Sequence, residues 1–244
     1  MIIQGVSLTG VTVVDLPAVT SGLMYYIDAG STTSYSGSGS TLTDISGQGL
    51  GASTLYNTPT FTSAGQSSYF TFNGTNQYIF TSNLVSKFNS PSNSSVTLET
   101  WTYAATDNGD IIVEEGSPSL DAGWYDSQQE IVSGSLKMRV WPLSSVTAGT
   151  YNRSKWNQSV LTYDGTTVRS YLNAVAGGTT TGTRQTPWAY GYGLYYALMA
   201  PTGTNLGDGT YLAGQWSVFK LYNRALSAAE VTQNFNALRG RYGL

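Results

Sequence analysis

The 244-residue chain contains no histidine and no cysteine. That removes Ser–His triads, cysteine nucleophiles, thiolate metal sites and the commonest zinc ligand. Any hydrolytic chemistry must come from carboxylates. The acids to consider lie in GDIIVEEG (109–116), which holds Asp110, Glu114 and Glu115. Cleavage of a glycosidic bond with retention needs two carboxyl groups about 5 Å apart on one face. In a regular strand Asp110 and Glu114 share a face and Glu115 points the other way. The set reads as solvated acids near a strand end rather than a catalytic pair. Glu99 stands alone in its segment and reads as a structural hydrogen-bond partner, because a buried charge needs one.

Aromatic side chains form the second candidate set. TPWAYGYGLYYALMAP (186–201) carries Trp188, Tyr190, Tyr192, Tyr195 and Tyr196. Spacing by two places Trp188, Tyr190 and Tyr192 on one side of an extended segment. Such rings pack in cores, join protein interfaces or stack on sugar faces. Trp124 and Tyr125, in DAGWYDSQQE, pose the same question on a smaller scale. Trp141 and Trp156 read as packing residues.

The elements that must position these groups are short strands separated by Gly, Ser, Asn and Pro clusters. GLMYYIDAG (22–30) is a strand, and residues 31–51 are a glycine-punctuated loop. Residues 67–81 form two strands around Asn73-Gly74. Further strands fall at 95–104, 110–116 and 135–142. In the last of these Leu136, Met138 and Val140 face one way, and Lys137, Arg139 and Trp141 the other. Residues 158–174 form a hairpin on Asp164-Gly165, with Val168 and Leu172 opposite Arg169 and Tyr171. TYLAGQWSVFKLYNR (210–224) is apolar on both faces, as a central strand covered on both sides must be. One helix follows: Ser227 and Glu230 make a capping box, Val231, Phe235 and Leu238 sit at helical spacing, and Gly240 ends it. A helix of three turns cannot cover a sheet; it plugs one end of a sandwich or docks on a neighbour.

Charged residues are only 10% of the chain, 11 basic against 14 acidic. The basic residues are scattered, which argues against nucleic acid as a partner. No apolar run approaches the ~18 residues of a membrane span, so membrane insertion is not expected. The first segment, MIIQGVSLTGVTVVDLP, lacks a basic n-region and a continuous apolar stretch and reads as a β-like arm, not a signal peptide. The chain divides into an arm over residues 1–20 and one domain over 21–244.

Five stretches in order also carry a family resemblance: residues 22–49, YFTFNGTNQYI (69–79), VTLETWTY (96–103), WNQSVLTYDGTTVRSYLN (156–173) and residues 214–243. The chain resembles concanavalin A-like lectin/glucanase domains of the laminin-G-like type, found in surface proteins of phages and marine bacteria. The resemblance implies an all-β fold, a two-sheet antiparallel jelly-roll sandwich with a short C-terminal helix. Glucanases of this superfamily alternate two Glu and an Asp on one strand, and here the middle position is Ile112. The family also binds calcium through loop acids, which makes Asp28 and Asp44 the residues to hold a structural ion. Where relatives have a loop with acids, this chain has Asn73-Gly74-Thr75-Asn76-Gln77. No other cofactor is implied. The ending QNFNALRGRYGL resembles those of viral structural proteins. The expectation is therefore a non-catalytic virion surface subunit, a capsid decoration or tail component. It would partner other virion proteins or copies of itself as a homo-oligomer, with the arm adding a strand to a neighbour. The alternatives are an extracellular carbohydrate-binding module that recognises a cell-surface glycan and, behind it, a carboxylate-dependent glycoside hydrolase.

Overall fold

The computed structural model describes residues 18–88, 95–120, 125–201 and 210–244. In chain order its strands are Leu23–Asp28 (β1), Thr41–Thr43 (β2), Ala52–Tyr56 (β3), Thr60–Thr62 (β4), Tyr69–Asn73 (β5), Tyr78–Phe80 (β6), Val96–Ala104 (β7) and Gly109–Glu115 (β8). They continue with Tyr125–Val132 (β9), Ser135–Met138 (β10), Val146–Thr150 (β11), Asn157–Tyr163 (β12), Thr167–Leu172 (β13), Val175–Thr181 (β14), Tyr195–Leu198 (β15) and Ala213–Tyr222 (β16). The helix α1 spans Ala228–Arg239. Among the described residues no helix is long and apolar enough to cross a membrane.

Two antiparallel sheets stack face to face, as expected for the sandwich. The first has the order β14-β13-β12-β7-β16-β5-β4, with β1 also paired to β16. The second runs β11-β10-β9-β8-β15-β6-β3-β2. The gap between them is filled by Tyr25, Phe70, Leu98, Trp216 and Phe219 from one side, and by Ile79, Ile112, Leu136, Met138 and Tyr196 from the other. Gln129 of β9 spans the gap: its amide donates to the Leu98 carbonyl at 3.0 Å and accepts from the Ser159 hydroxyl at 2.6 Å. Without those bonds its burial would cost a few kcal/mol.

The strand β16 is central and covered on both faces. Trp216, Phe219 and Leu221 enter the main core, while Val218 and Tyr222 point outward. The Asp164-Gly165 hairpin forms between β12 and β13, with Val168 and Tyr171 on opposite faces. Asn73-Gly74 is a turn, but not a hairpin turn: β5 belongs to the first sheet and β6 to the second, so the chain crosses the sandwich there. Residues 31–51 are not all loop, since β2 makes a short edge strand within them.

The helix covers part of the outer face of the first sheet instead of plugging an end. Ser227 and Glu230 make the capping box. Val231 joins Tyr222 and Val160, and Phe235 stacks on Trp101 at 5.7 Å with an interplanar angle of 4°. Burying Val231 and Leu238 contributes roughly 1.5–3 kcal/mol each. Beneath the helix, Asn234 donates to Glu99 at 2.6 Å and accepts the Val19 amide at 2.7 Å. Glu99 also accepts from Gln158 at 3.0 Å and faces Lys220 at 3.7 Å. The isolated acid of the sequence thus ties together two strands, the helix and the start of the described chain.

At one edge the two sheets close on each other. Gly177 of β14 lies so near β11 that an added Cβ would stand 2.5 Å from the Ala148 Cα. Only glycine allows that approach.

Candidate functional site

Of the residues singled out from the sequence, Glu114, Glu115, Tyr195 and Tyr196 gather at one end of the second sheet, beyond an irregularity that the sequence hides. The β8/β9 ladder carries register shifts between Asp110 and Ile112 and between Ile112 and Val113. Ile111 and Ile112 both enter the core, and the strand changes face. Glu114 therefore turns inward, beside Tyr196, whose hydroxyl donates to it at 3.2 Å. Asp110 stands opposite Glu130 on the outer face, across the strand from Gln129 and Ile131, which point into the core. The expectation that Asp110 and Glu114 share a face fails because the strand is bulged. Asp110, Glu115 and Glu130 are each at most 1% exposed.

Two rows cross the sheet at this end. On the outer face Tyr195 and Glu115 are register neighbours across β15 and β8, and the backbone of β9 pairs with Glu115 at position 125. The next row places Tyr196, Glu114 and Asp126 side by side. The two segments, 70 residues apart between positions 125 and 195, thus pair on either side of one acidic strand end. Trp124 lies outside the described residues. Tyr195 packs on Phe80 at 5.6 Å, and Tyr78 continues the aromatic surface to Tyr56, stacked at 4.5 Å.

Trp188, Tyr190 and Tyr192 do not form a row on an extended segment. Pro187–Tyr190 is a 3-10 turn, started by the proline and closed by Gly191 at φ 79°. The fixed proline φ suits the first helical position, and the left-handed closing residue favours glycine. The turn separates the rings. Trp188 packs against the core and Phe88, whereas Tyr190 is 56% and Tyr192 40% exposed. Trp141, read from the sequence as packing, is 40% exposed. Its indole N–H donates to Gln185 at 3.1 Å, just before the 3-10 turn. Trp156 does pack, against Tyr69, Tyr103 and Tyr242.

Beneath these rings lie two buried ion pairs that sequence reasoning missed. Asp126 accepts from Arg139 Nη2 at 2.6 Å and Nε at 2.9 Å, from the Trp141 amide at 2.9 Å and from Gln128 at 2.8 Å. Glu114 pairs with Arg184. Each arginine also lies over a tryptophan: Arg139 is 5.2 Å from the Trp141 ring centre, and Arg184 5.8 Å from that of Trp188. The result is two acid–arginine–tryptophan relays, joined where Glu114 and Asp126 are neighbours. Burial, opposed by Arg139 and reinforced by Glu114, raises the Asp126 carboxyl to about 7. Burial also pushes the Tyr196 hydroxyl well above its ordinary value, reinforced by Glu114. Burial would lower the Arg184 guanidinium, but Glu114, Tyr196 and Asp126 together outweigh it and the net shift is upward. The two buried pairs at this end thus support Trp141 and Trp188. The one sequence signal for them is that two of the few cations sit just before tryptophans.

The loop acids do not fit a calcium ion. Asp44 accepts the Tyr26 amide at 3.0 Å and the Ser46 amide at 2.9 Å on one oxygen, and the Ser46 hydroxyl at 2.9 Å on the other. Asp28 accepts the Gly30 amide, the Tyr26 hydroxyl and Arg241, each at 2.7 Å. These donors point positive ends where a hard cation would sit, and Arg241 already neutralises Asp28. The Asn73–Gln77 loop closes on itself: Asn73 Oδ1 accepts the Thr75 and Asn76 amides at 2.9 and 3.2 Å. Among the described residues no group of three or more acids is placed to hold a metal ion.

The geometry has counterparts among solved structures. The Trypanosoma rangeli sialidase superposes with a TM-score of 0.62 at 13% identity, over 93% of this chain and 34% of the sialidase. A botulinum neurotoxin type C, whose cell entry depends on interaction with two ganglioside molecules, gives a TM-score of 0.62 at 14% identity, over 90% of this chain and 52% of the toxin chain. Domain 4 of AbnA, an extracellular GH43 arabinanase from Geobacillus stearothermophilus, was solved with arabinotriose. It matches with a TM-score of 0.57 at 18% identity, over 87% of this chain and 97% of that domain. The present chain thus spans about a third of the sialidase and about half of the toxin chain. At these identities the likeness is one of fold. No curated protein sequence matches the chain. A family model does match, over residues 73–232, more than half of the sequence. With two stacked antiparallel sheets, a terminal helix and that match, the chain belongs to the concanavalin A-like lectin/glucanases superfamily.

Proposed function

We propose that the domain is a non-catalytic glycan-binding module, and that its binding surface is the end of the second sheet bearing Trp141, Tyr190 and Tyr192. One observation carries the reading: three exposed rings stand there, Trp141 over the buried Arg139–Asp126 pair and Tyr190 and Tyr192 at the 3-10 turn, with Tyr195 on the neighbouring strand. Rigid aromatic faces in a surface poor in charge suit the apolar faces of sugar rings, and Gln185 adds a hydrogen-bonding amide. The proteins of similar fold solved with arabinotriose or tied to gangliosides support the same reading. Against catalysis stand the carboxylates. Glu114 is neutralised by Arg184 and faces the core, while Asp110, Glu115 and Glu130 are buried on the other face. Each is at most 1% exposed, whereas acid and nucleophile must reach an open cleft.

The virion-surface role expected from the sequence draws nothing specific from the fold or from the proteins it resembles. The arm that was to pair with a neighbour lies, up to residue 17, outside the described residues. A glycan array on the intact chain, followed by titration calorimetry, tests the proposal. Each stacking ring contributes about 0.5–1.5 kcal/mol. Tyr190→Ala or Trp141→Ala should therefore weaken binding up to about tenfold without changing the melting temperature by more than a few degrees. Turnover of any glycan that Glu114→Gln abolishes would overturn the non-catalytic assignment.

A further inference from the structure

The geometry points to a second binding site, for an acidic saccharide, at the opposite end of the sandwich. From the first site β9 runs from Tyr125 to Val132, roughly 25 Å. Beyond it the Gly134 amide donates to the Asp107 carbonyl at 2.8 Å, and the Tyr151 amide to the Gly134 carbonyl at 2.9 Å. There a cleft of about 630 Å³ is lined by Ala105, Thr150, Tyr151, Asn152, Arg153 and Ser154. That volume lies within the range of small-ligand sites, about 300–1,000 Å³.

The cleft has a rigid frame and a polar wall. Asn157, fully buried, donates to the Asn152 carbonyl at 2.8 Å and to the Lys155 carbonyl at 2.9 Å, clamping the turn between them. The Tyr151 hydroxyl donates to the Thr102 carbonyl at 2.9 Å. Ser154 is held at φ 65°, a strained value for a residue with a side chain. The clamped turn exposes Asn152, Arg153, Ser154 and Lys155 together. Beside it Trp156 packs edge-on to Tyr69 at 5.8 Å and Tyr103 at 6.3 Å, and all three rings remain partly exposed.

The charge selects the ligand. Arg153 and Lys155 bring two cations to this rim against one acid, Asp107, which pairs with Arg153 at 2.7 Å on the surface. Four of the other six arginines are spent on structure: Arg139 and Arg184 are buried, and Arg224 and Arg241 pair with Glu230 and Asp28. A guanidinium that can exchange Asp107 for another carboxylate, a neighbouring ammonium, hydrogen-bonding Asn152 and Ser154, and ring edges nearby together suit a sugar bearing a carboxylate. The site does not depend on the binding surface proposed above.

The test titrates the whole chain at low salt with oligogalacturonate and with sialyllactose, and with a galactose oligomer and lactose as uncharged controls. At least one acidic ligand should bind, the controls at least tenfold more weakly. Arg153→Gln/Lys155→Gln should reduce that binding tenfold or more at unchanged melting temperature, since both residues are exposed. Tyr190→Ala/Tyr192→Ala should leave it intact. Asp107→Asn, which frees Arg153, should tighten it severalfold. No acidic ligand binding at millimolar concentration would overturn the inference. So would binding that survives the double variant, that is lost in the tyrosine variant instead, or that the uncharged controls match.

Discussion

Replacing Glu114 by Gln probes the frame under the exposed rings. The carboxylate and its partner Arg184 are each 1% exposed at the side chain. Glutamine keeps the shape and an acceptor oxygen but leaves the guanidinium buried without its counter-charge. Removing one member of a buried pair costs about 3–5 kcal/mol, most of it the penalty on the charge left behind. For a chain of this size that lowers the melting temperature by roughly 6–20 °C. Arg184→Met should cost a similar amount, because it strands Glu114. The double variant Glu114→Leu/Arg184→Met removes both charges. It should return to within about 2 kcal/mol of the wild type, the remainder being the acceptor lost by the Tyr196 hydroxyl. Urea unfolding of the four proteins measures the cycle. The double variant should still bind glycan less well, since Trp188 and its turn lose the cation they rest on. If Glu114→Gln falls within 1 kcal/mol of the wild type, the pair is not the buried frame described here.

Two further outcomes follow from local geometry. The Arg224 hydrogen bond and the Ser227 cap lower the Glu230 carboxyl to about 2. A depressed folded value means that the stabilisation is full above the unfolded value near 4.5 and is lost as the pH falls from there to about 2. Screening of this surface pair limits the gain to about 1 kcal/mol, so Glu230→Gln should cost that much at pH 7 and only a fraction of it at pH 2, by chemical unfolding at each pH. Gly177→Ala should destabilise the domain by about 1–3 kcal/mol, because its Cβ meets backbone. Gly178→Ala should cost less, its nearest contacts being at 3.2 Å.

The legible parts of this sequence were those set by short-range chemistry. The capping box at Ser227, the hairpin on Asp164-Gly165 and the alternation of Leu136, Met138 and Val140 depend on neighbours within a few residues, and each stands in the structure. The edge strands β11 and β14 escaped notice because VTAGT and VAGGTTT have too few apolar residues to alternate. Asn73-Gly74 fixes a turn but not which sheets its flanking strands join. The bulges in β8 leave no mark in GDIIVEEG, yet they decide which acids face the core, so Asp110 and Glu114 were placed together. Trp141 reads as a packing residue because a tryptophan in an alternating run gives no sign that its strand has already ended at Met138. Tyr190 and Tyr192 stood out as aromatics, but the turn that exposes them, and the pairing of positions 125 and 195 on either side of Glu115, arise from tertiary register.

The central claim is that the end of the sandwich bearing Trp141, Tyr190 and Tyr192 holds glycans without cleaving them. Its most direct test is calorimetric titration of the wild type and of Trp141→Ala/Tyr190→Ala/Tyr192→Ala with the best ligand from a glycan array, with product analysis after prolonged incubation. The account predicts saturable binding by the wild type, loss of at least tenfold in the triple variant, and a glycan recovered intact. Binding indifferent to the three rings, or a cleaved ligand, would contradict it.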